Sequence, residues 1–371
     1  MSAWDAFQHN AIQFVVETSY RDWDTDFPAI AICESKNMDR VSKVSEYLWG
    51  AEHDFTLEEV LSEIAYFRGE SYHTVHECSL EDGGIENCLQ SNFSYYANLV
   101  RSSCKQTLDM CWWNDIQFDC CNYFHPMETE LGLCYAINSN QVRNPKSPRF
   151  TMRSNKYTGP GSVKIQILIE ANVYVIGEED VPNLVTSKSD ILAVGPYISY
   201  LRKISVRNIE NDPLTRSVSV EQRSCRFQDE HSLDVHTHYS MYCNMTGLIC
   251  LNENYEELSV VIPKWSKNRK GVICDCMPSC TEIDVSLVHD SRNNILAQHR
   301  PMSVVEIGLI NLPTEKYKRN VVRGKLDLVV SFGGSASLFL GCSLLSFVEV
   351  IYYFFIRPYG IPAEGNVNDQ N

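Results

Sequence analysis

Between Leu328 and Val348 the chain carries no charged side chain, inside the longer apolar stretch Leu326–Ile356. At about 1.5 Å of rise per residue, such a run is long enough to cross a hydrocarbon core about 30 Å thick as one helix. The stretch is expected to be a membrane span. It is not uniformly greasy, because Gly333, Gly334, Ser335, Ala336, Ser337, Gly341 and Ser343 interrupt it and Glu349 sits toward its far end. Small residues let backbones approach closely, and a carboxylate within a span faces protein or water. On these residues alone the stretch is either a tight helix-packing face or the lining of a pathway.

The chain has 371 residues and 15 cysteines, of which all but Cys342 precede the span. An even set of cysteines ahead of a span points to disulfides in an oxidising compartment. The sequons at Asn92 and Asn244 agree with that placement. Zinc is the competing use of cysteine, and Cys274, Cys276 and Cys280 could suggest it, but paired CxxC knuckles are lacking. No metal or other cofactor is expected. The formal charge of -15 argues against a nucleic-acid partner. No catalytic elbow, HExxH helix or paired-carboxylate pattern presents itself, so the chain is read as a non-enzyme.

Period-two alternation marks 163–169, 197–206, 282–288 and 303–309 as half-buried strands. Phe55, Leu57, Val60, Leu61, Ile64 and Phe67 have helical spacing, with Asp54 or Thr56 placed to cap. Cysteines crowd 78–121, where Trp112 and Trp113 would either cover a disulfide or form an exposed partner site. His231, His236 and His238 form a histidine cluster that could titrate near neutral pH, or lie on an exposed polar loop.

Four signatures stand in order along the chain. They are Phe27-Pro28-Ala29 leading to Cys33, the segment Thr129, Gly132, Cys134, Tyr135 and Asn138, the pattern Cys274, Cys276, Pro278 and Cys280, and Gly341-Cys342-Ser343 followed by Leu345, Ser346 and Glu349. Together they closely resemble the degenerin/epithelial sodium channel family, particularly its insect pickpocket branch. The interior between Cys243 and Cys250 is shorter than the family's, and Ile137 and Ser337 stand where Phe and Gly are usual.

The resemblance implies an α+β membrane protein. A disulfide-rich extracellular domain, 1–325, would hold a β-sheet palm and β-ball core, a helical finger at about 38–130 and a thumb at about 225–280. One C-terminal transmembrane helix, 326–356, would line the pore, and 357–371 would be a short cytoplasmic tail. The resemblance also implies the disulfide Cys33 with Cys134, and suggests Cys225 with Cys280, Cys243 with Cys276, and Cys250 with Cys274. Gly341, Cys342 and Ser343 would be the selectivity filter, where three subunits break their helices around one axis. Val330, Ser331, Gly333, Gly334, Ser337, Ser346 and Glu349 would complete the pore and gate.

Two signals disagree on topology. Lys316, Lys318, Arg319, Arg323 and Lys325 precede the span and only Arg357 closely follows it, which by the positive-inside rule would put the cysteines in the cytoplasm. The cysteines and sequons outweigh that rule, because long domains translocate largely regardless of charge. The opening residues resemble those that follow the family's first span, so the N-terminus and that span are expected to be missing. The function implied is a subunit of a trimeric, voltage-independent, amiloride-sensitive-type channel that conducts Na+ across the plasma membrane. Its partners would be Na+ ions, related subunits in a homo- or heterotrimer, and the lipid bilayer; the gating ligand stays open. The alternative is a non-conducting regulatory or dominant-negative single-span subunit that pairs with full-length chains.

Overall fold

A computed structural model describes residues 12–18, 23–67, 69–78, 88–142, 150–230, 243–262, 269–273, 277–295, 302–322, 325–341 and 344–356. The chain divides into two units, one of residues 16–210 with 225–317, the other of residues 1–15, 211–224 and 318–371. The fold is mixed α+β, with five disulfides among the described residues.

The larger unit is built on two sheets. In the first, the strand Ile198–Asn211 pairs antiparallel with Ile283–Asn294 and parallel with Ser303–Leu309; Ser162–Ile167, Leu108–Trp113 and Ile116–Asp119 follow in order. Alternation explains its depth: Tyr200, Ile204 and Val206 point inward with Val163, Ile165, Ile167, Val305 and Ile307. The second sheet runs Ile191–Val194, Ala171–Ile176, Ala29–Glu34, Gly132–Ile137 and His125–Thr129, antiparallel throughout. One buried cluster takes side chains from both sheets, among them Phe27, Ile30, Ile32, Ile137, Val173 and Ile307. Trp113 belongs to that core, edge-on to Phe27 at 5.1 Å, while Trp112 lies half-buried beneath Lys164.

A helical cluster stands on the second sheet's Cys33 side. Met38–Trp49 is capped by the Asn37 side chain, and Phe55–Ala65 by Asp54, whose carboxylate accepts from the Thr56 N–H. Val41, Val60, Leu61, Ile64 and Val100 bury their side chains against one another. Glu63 joins two helices, because its oxygens accept from the backbone N–H groups of Tyr72, His73 and Thr74 at the start of Tyr72–Cys78. Those donors have no partner inside their own helix, so a carboxylate there satisfies them and the helix dipole together.

Cross-links follow the strands and turns. Cys33 and Cys134 are directly opposite on paired strands and bonded. Cys78–Cys88 staples the helical cluster, Cys104–Cys121 and Cys111–Cys120 cross-link the flanks of the hairpin of Leu108–Trp113 and Ile116–Asp119, and Cys225–Cys280 closes a separate loop. The expected pairs of Cys243 with Cys276 and Cys250 with Cys274 are not formed, for Cys243 and Cys250 are exposed free thiols. The helix Met245–Glu253, which carries Cys250 and follows Cys243, is instead held to the helical cluster by Met245 N–H donating to Gln90 O at 3.1 Å and by Ser71 N–H donating to Asn252 Oδ1. Cys274 and Cys276 lie outside the described residues. The zinc alternative loses Cys280 to its disulfide, and no metal-binding group occurs among the described residues.

In the smaller unit, Arg319 is buried: its guanidinium lies 5.0 Å from the Phe14 ring centroid and donates to Asn211 Oδ1, and its carbonyl accepts from the Asp212 N–H. The chain then enters its apolar end. Here the single helix expected over 326–356 is replaced by two, Lys325–Leu340 of 16 residues and Leu344–Ile351 of 8, followed by a π-helical turn Tyr352–Ile356. At about 1.5 Å per residue the longer is only about 24 Å. No helix among the described residues is long and apolar enough to cross a membrane. The interruption at residue 341 is the physical reason, since the apolar run itself continues through it.

Candidate functional site

The apolar C-terminal segment starts with Asp327 in the first turn of its helix, where a negative charge complements the exposed N–H groups. It stops at Gly341, whose φ of +64° is left-handed and whose N–H donates to Ser337 O at 3.0 Å. A glycine closes a helix this way because no Cβ penalises the conformation. Ser337 O takes that bond, and by helix geometry the carbonyls after it lack a donor within the helix, at the negative end of its dipole. A helix end of this kind favours a cation.

Spacing of four, three and four puts Val330, Gly334, Ser337 and Gly341 on one face of the longer helix. Added Cβ atoms at Gly333 or Gly334 would meet nothing within 4 Å. Ser331 lies beside Val330 and is exposed. In the shorter helix Ser346 is half-buried and Glu349, one turn on, is exposed. Cys342 and Ser343 lie outside the described residues. Leu338 is 80% exposed, Leu345 71% and Phe354 73%. Helices apolar on every side are stable only when something covers them, either acyl chains or other helices.

The sequon residues Asn92 and Asn244 are both exposed at helix starts. The Met245–Gln90 backbone bond places them on neighbouring loops. His231, His236 and His238 lie outside the described residues.

Sequence reasoning missed a second group of residues, in the larger unit. Arg101 is buried, donates to Ala65 O, Leu131 O and Leu133 O, and stacks on Tyr66 at 5.0 Å. Glu34, buried one residue past Cys33, accepts from Ser102 N–H, Ser102 Oγ and Asn37 Nδ2. Burial, with Glu34 nearby, pushes the Tyr66 and Tyr135 phenols up from their ordinary value. Beside them is a cavity of about 160 Å³, lined by Glu34, Tyr66, Arg101, Asn172, Asn183 and Leu184 among others. Its one trace in the sequence is Gly132, a member of the second of the four ordered signatures, where a Cβ would meet Arg101.

A family model described as "Amiloride-sensitive sodium channel" matches residues 1–243 and 240–353. The chain is 22% identical to Pickpocket protein 11 of Drosophila melanogaster over 70% of its own length and 56% of that protein's. It is 20% identical to Sodium channel protein Nach of the same species, over 69% and 59% respectively. The chain thus spans somewhat over half the length of these curated relatives. Among solved structures, a cryo-EM structure of a proton-activated chloride channel aligns over 95% of this chain and 89% of that one, at 7% identity and a TM-score of 0.25, a likeness too slight to carry an argument.

Proposed function

The chain belongs to the amiloride-sensitive sodium channel family, pickpocket-like in its relatives, and from that premise we propose that it is a channel subunit conducting Na+ across the plasma membrane. In this reading three subunits, alike or related, surround one axis, and conduction is voltage-independent and blocked by amiloride. Residues 1–325 are extracellular, 326–356 lie in the bilayer, and 357–371 are cytoplasmic. Within the outer domain the finger takes about 38–130 and the thumb about 225–280, around a palm and β-ball core.

The observation that carries the reading is the left-handed Gly341 at the end of Lys325–Leu340, inside the G-x-S motif. A selective pore replaces an ion's water with oxygens held at a narrow point, and rings of backbone carbonyls supply them. Gly341, Cys342 and Ser343 form that point, with the absent Cβ of Gly341 allowing symmetry-related backbones to come close and the Ser343 hydroxyl adding an oxygen. Val330 and Ser331 form the closure, with Gly333, Gly334 and Ser337 packing around the axis. Ser346 and Glu349 lock neighbouring helices below the filter, where one carboxylate per chain is held by hydrogen bonds.

Bulk at the closure should hold it open by sterics. The test is whole-cell recording of the chain, alone and with a full-length pickpocket subunit, carrying Ser331→Phe. The expected result is a constitutive, amiloride-blocked Na+ current. A Ser331→Phe chain that reaches the cell surface and leaves the current unchanged in both settings overturns the reading.

A further inference from the structure

The turn between the helices Met38–Trp49 and Phe55–Ala65 holds one imidazole between two acceptors. His53 Nδ1 lies 2.7 Å from Gly50 O, and His53 Nε2 lies 2.9 Å from Glu58 Oε1. A carbonyl accepts only, and so does an ionised carboxylate, whereas a neutral imidazole has a single N–H to give. Only the imidazolium satisfies both contacts. We propose that His53 is a pH-operated clamp of this helical hairpin, closed when the ring is protonated and released on one side when it is neutral.

The surroundings favour the charged ring. Glu58 is itself buried, and its Oε1 also accepts from Ser42 Oγ at 3.1 Å, so a neutral ring that gives its one N–H to Gly50 O leaves a buried carboxylate on one hydroxyl, and one that gives it to Glu58 lets Gly50 O go. The other groups that face the ring are Glu46 from the first helix and Asp54 from the cap of the second, both acids, with the Trp49 ring 6.3 Å away. The Gly50 carbonyl raises the His53 pKa above its ordinary 6.5, burial opposes this, and Glu58 and Glu46 add to the rise. A folded value above the unfolded one means that the contribution is complete below about pH 6.5 and is lost as pH climbs through the folded value. The clamp therefore tightens in acid and loosens in alkali. The Gly50 turn suits a hinge, since its φ of +91° ends the first helix and a Cβ there would meet nothing within 4 Å.

This inference concerns the helical cluster alone and does not depend on conduction. Its test is a titration of the full chain in detergent micelles, labelled at histidine Cε1, with His53→Gln identifying one resonance among the 10 histidines. The expected result is a His53 midpoint above 6.5 that falls when Glu58→Gln is introduced. Amide exchange of residues 50–54, corrected for intrinsic rate, should lose protection across the same midpoint in the wild type and show no such step in His53→Gln. A midpoint at or below 6.5, one indifferent to Glu58→Gln, or protection that ignores the His53 titration overturns the proposal.

Discussion

Arg101 occupies the space that any side chain on residue 132 would need. A Cβ built on Gly132 would sit 2.5 Å from Arg101 Cζ, and Gly132 itself has φ +90°. The guanidinium bonds to the carbonyls on either side of that glycine and, across the gap, to Ala65 O at the end of a helix. One buried cation thereby ties the hairpin that carries Cys134 to the helical cluster.

Gly132→Ala should therefore be costly through two additive causes, backbone strain and eviction of the arginine. Left-handed strain alone is worth about 1 to 3 kcal/mol. A buried guanidinium deprived of its carbonyls adds to that. Thermal unfolding in detergent should begin several degrees lower than in the wild type. An unshifted transition would show that the Arg101 contacts contribute nothing to stability.

Glu63→Gln should loosen the helix Tyr72–Cys78, at about 1 to 3 kcal/mol for charge-assisted bonds. Burial works to raise the Glu63 carboxyl, but the hydrogen bonds from Thr74 and His73 override it and hold the pKa below the ordinary 4.5. A depressed folded value contributes stability above the unfolded pKa and loses it as pH falls through the folded one. Amide protection over residues 72–78 should thus fall below about pH 4.5 in the wild type. Glu63→Gln should show low protection with no such acid step.

Removing the Cys33–Cys134 bond releases a loop whose ends are 101 residues apart. The chain-entropy relation gives about 4.7 kcal/mol for a loop of about 100 residues. Cys33→Ala with Cys134→Ala should leave little folded protein at the cell surface. Removing Cys243, a free thiol, should leave surface expression close to wild type.

Asn92 and Asn244 are exposed on neighbouring loops, and the proposed extracellular placement makes both glycan acceptors. Glycosidase treatment should increase gel mobility, with a smaller shift for each of Asn92→Gln and Asn244→Gln and none for the double variant. A membrane-inserted chain unmodified at both sites would reverse the topology.

Local pattern made much of the fold legible. The run Ser303–Leu309 alternates in the sequence and is a strand with those bounds, and the helix opening at Phe55 takes its cap from Asp54 as its spacing implied. Alternation from 197 foretold a strand, and pairing with Ile283–Asn294 carries it past the alternating part as far as Asn208. What stayed hidden is non-local. Nothing near Arg101 in sequence announces the Gly132 notch, and nothing near His53 shows that Gly50 O and Glu58 converge on its two nitrogens. The candidate site was legible as a motif, and the resemblance put a helix break at Gly341; hydropathy alone counts apolar residues, is blind to a glycine's φ, and reads one continuous span.

The central claim is that Gly341 and the carbonyls before it set which cation passes. The most direct measurement is the reversal potential of the Ser331→Phe channel when external Na+ is replaced by K+, with and without Gly341→Ala. The account predicts a large shift in the parent that shrinks with Gly341→Ala at equal surface expression. An identical shift in both would contradict it.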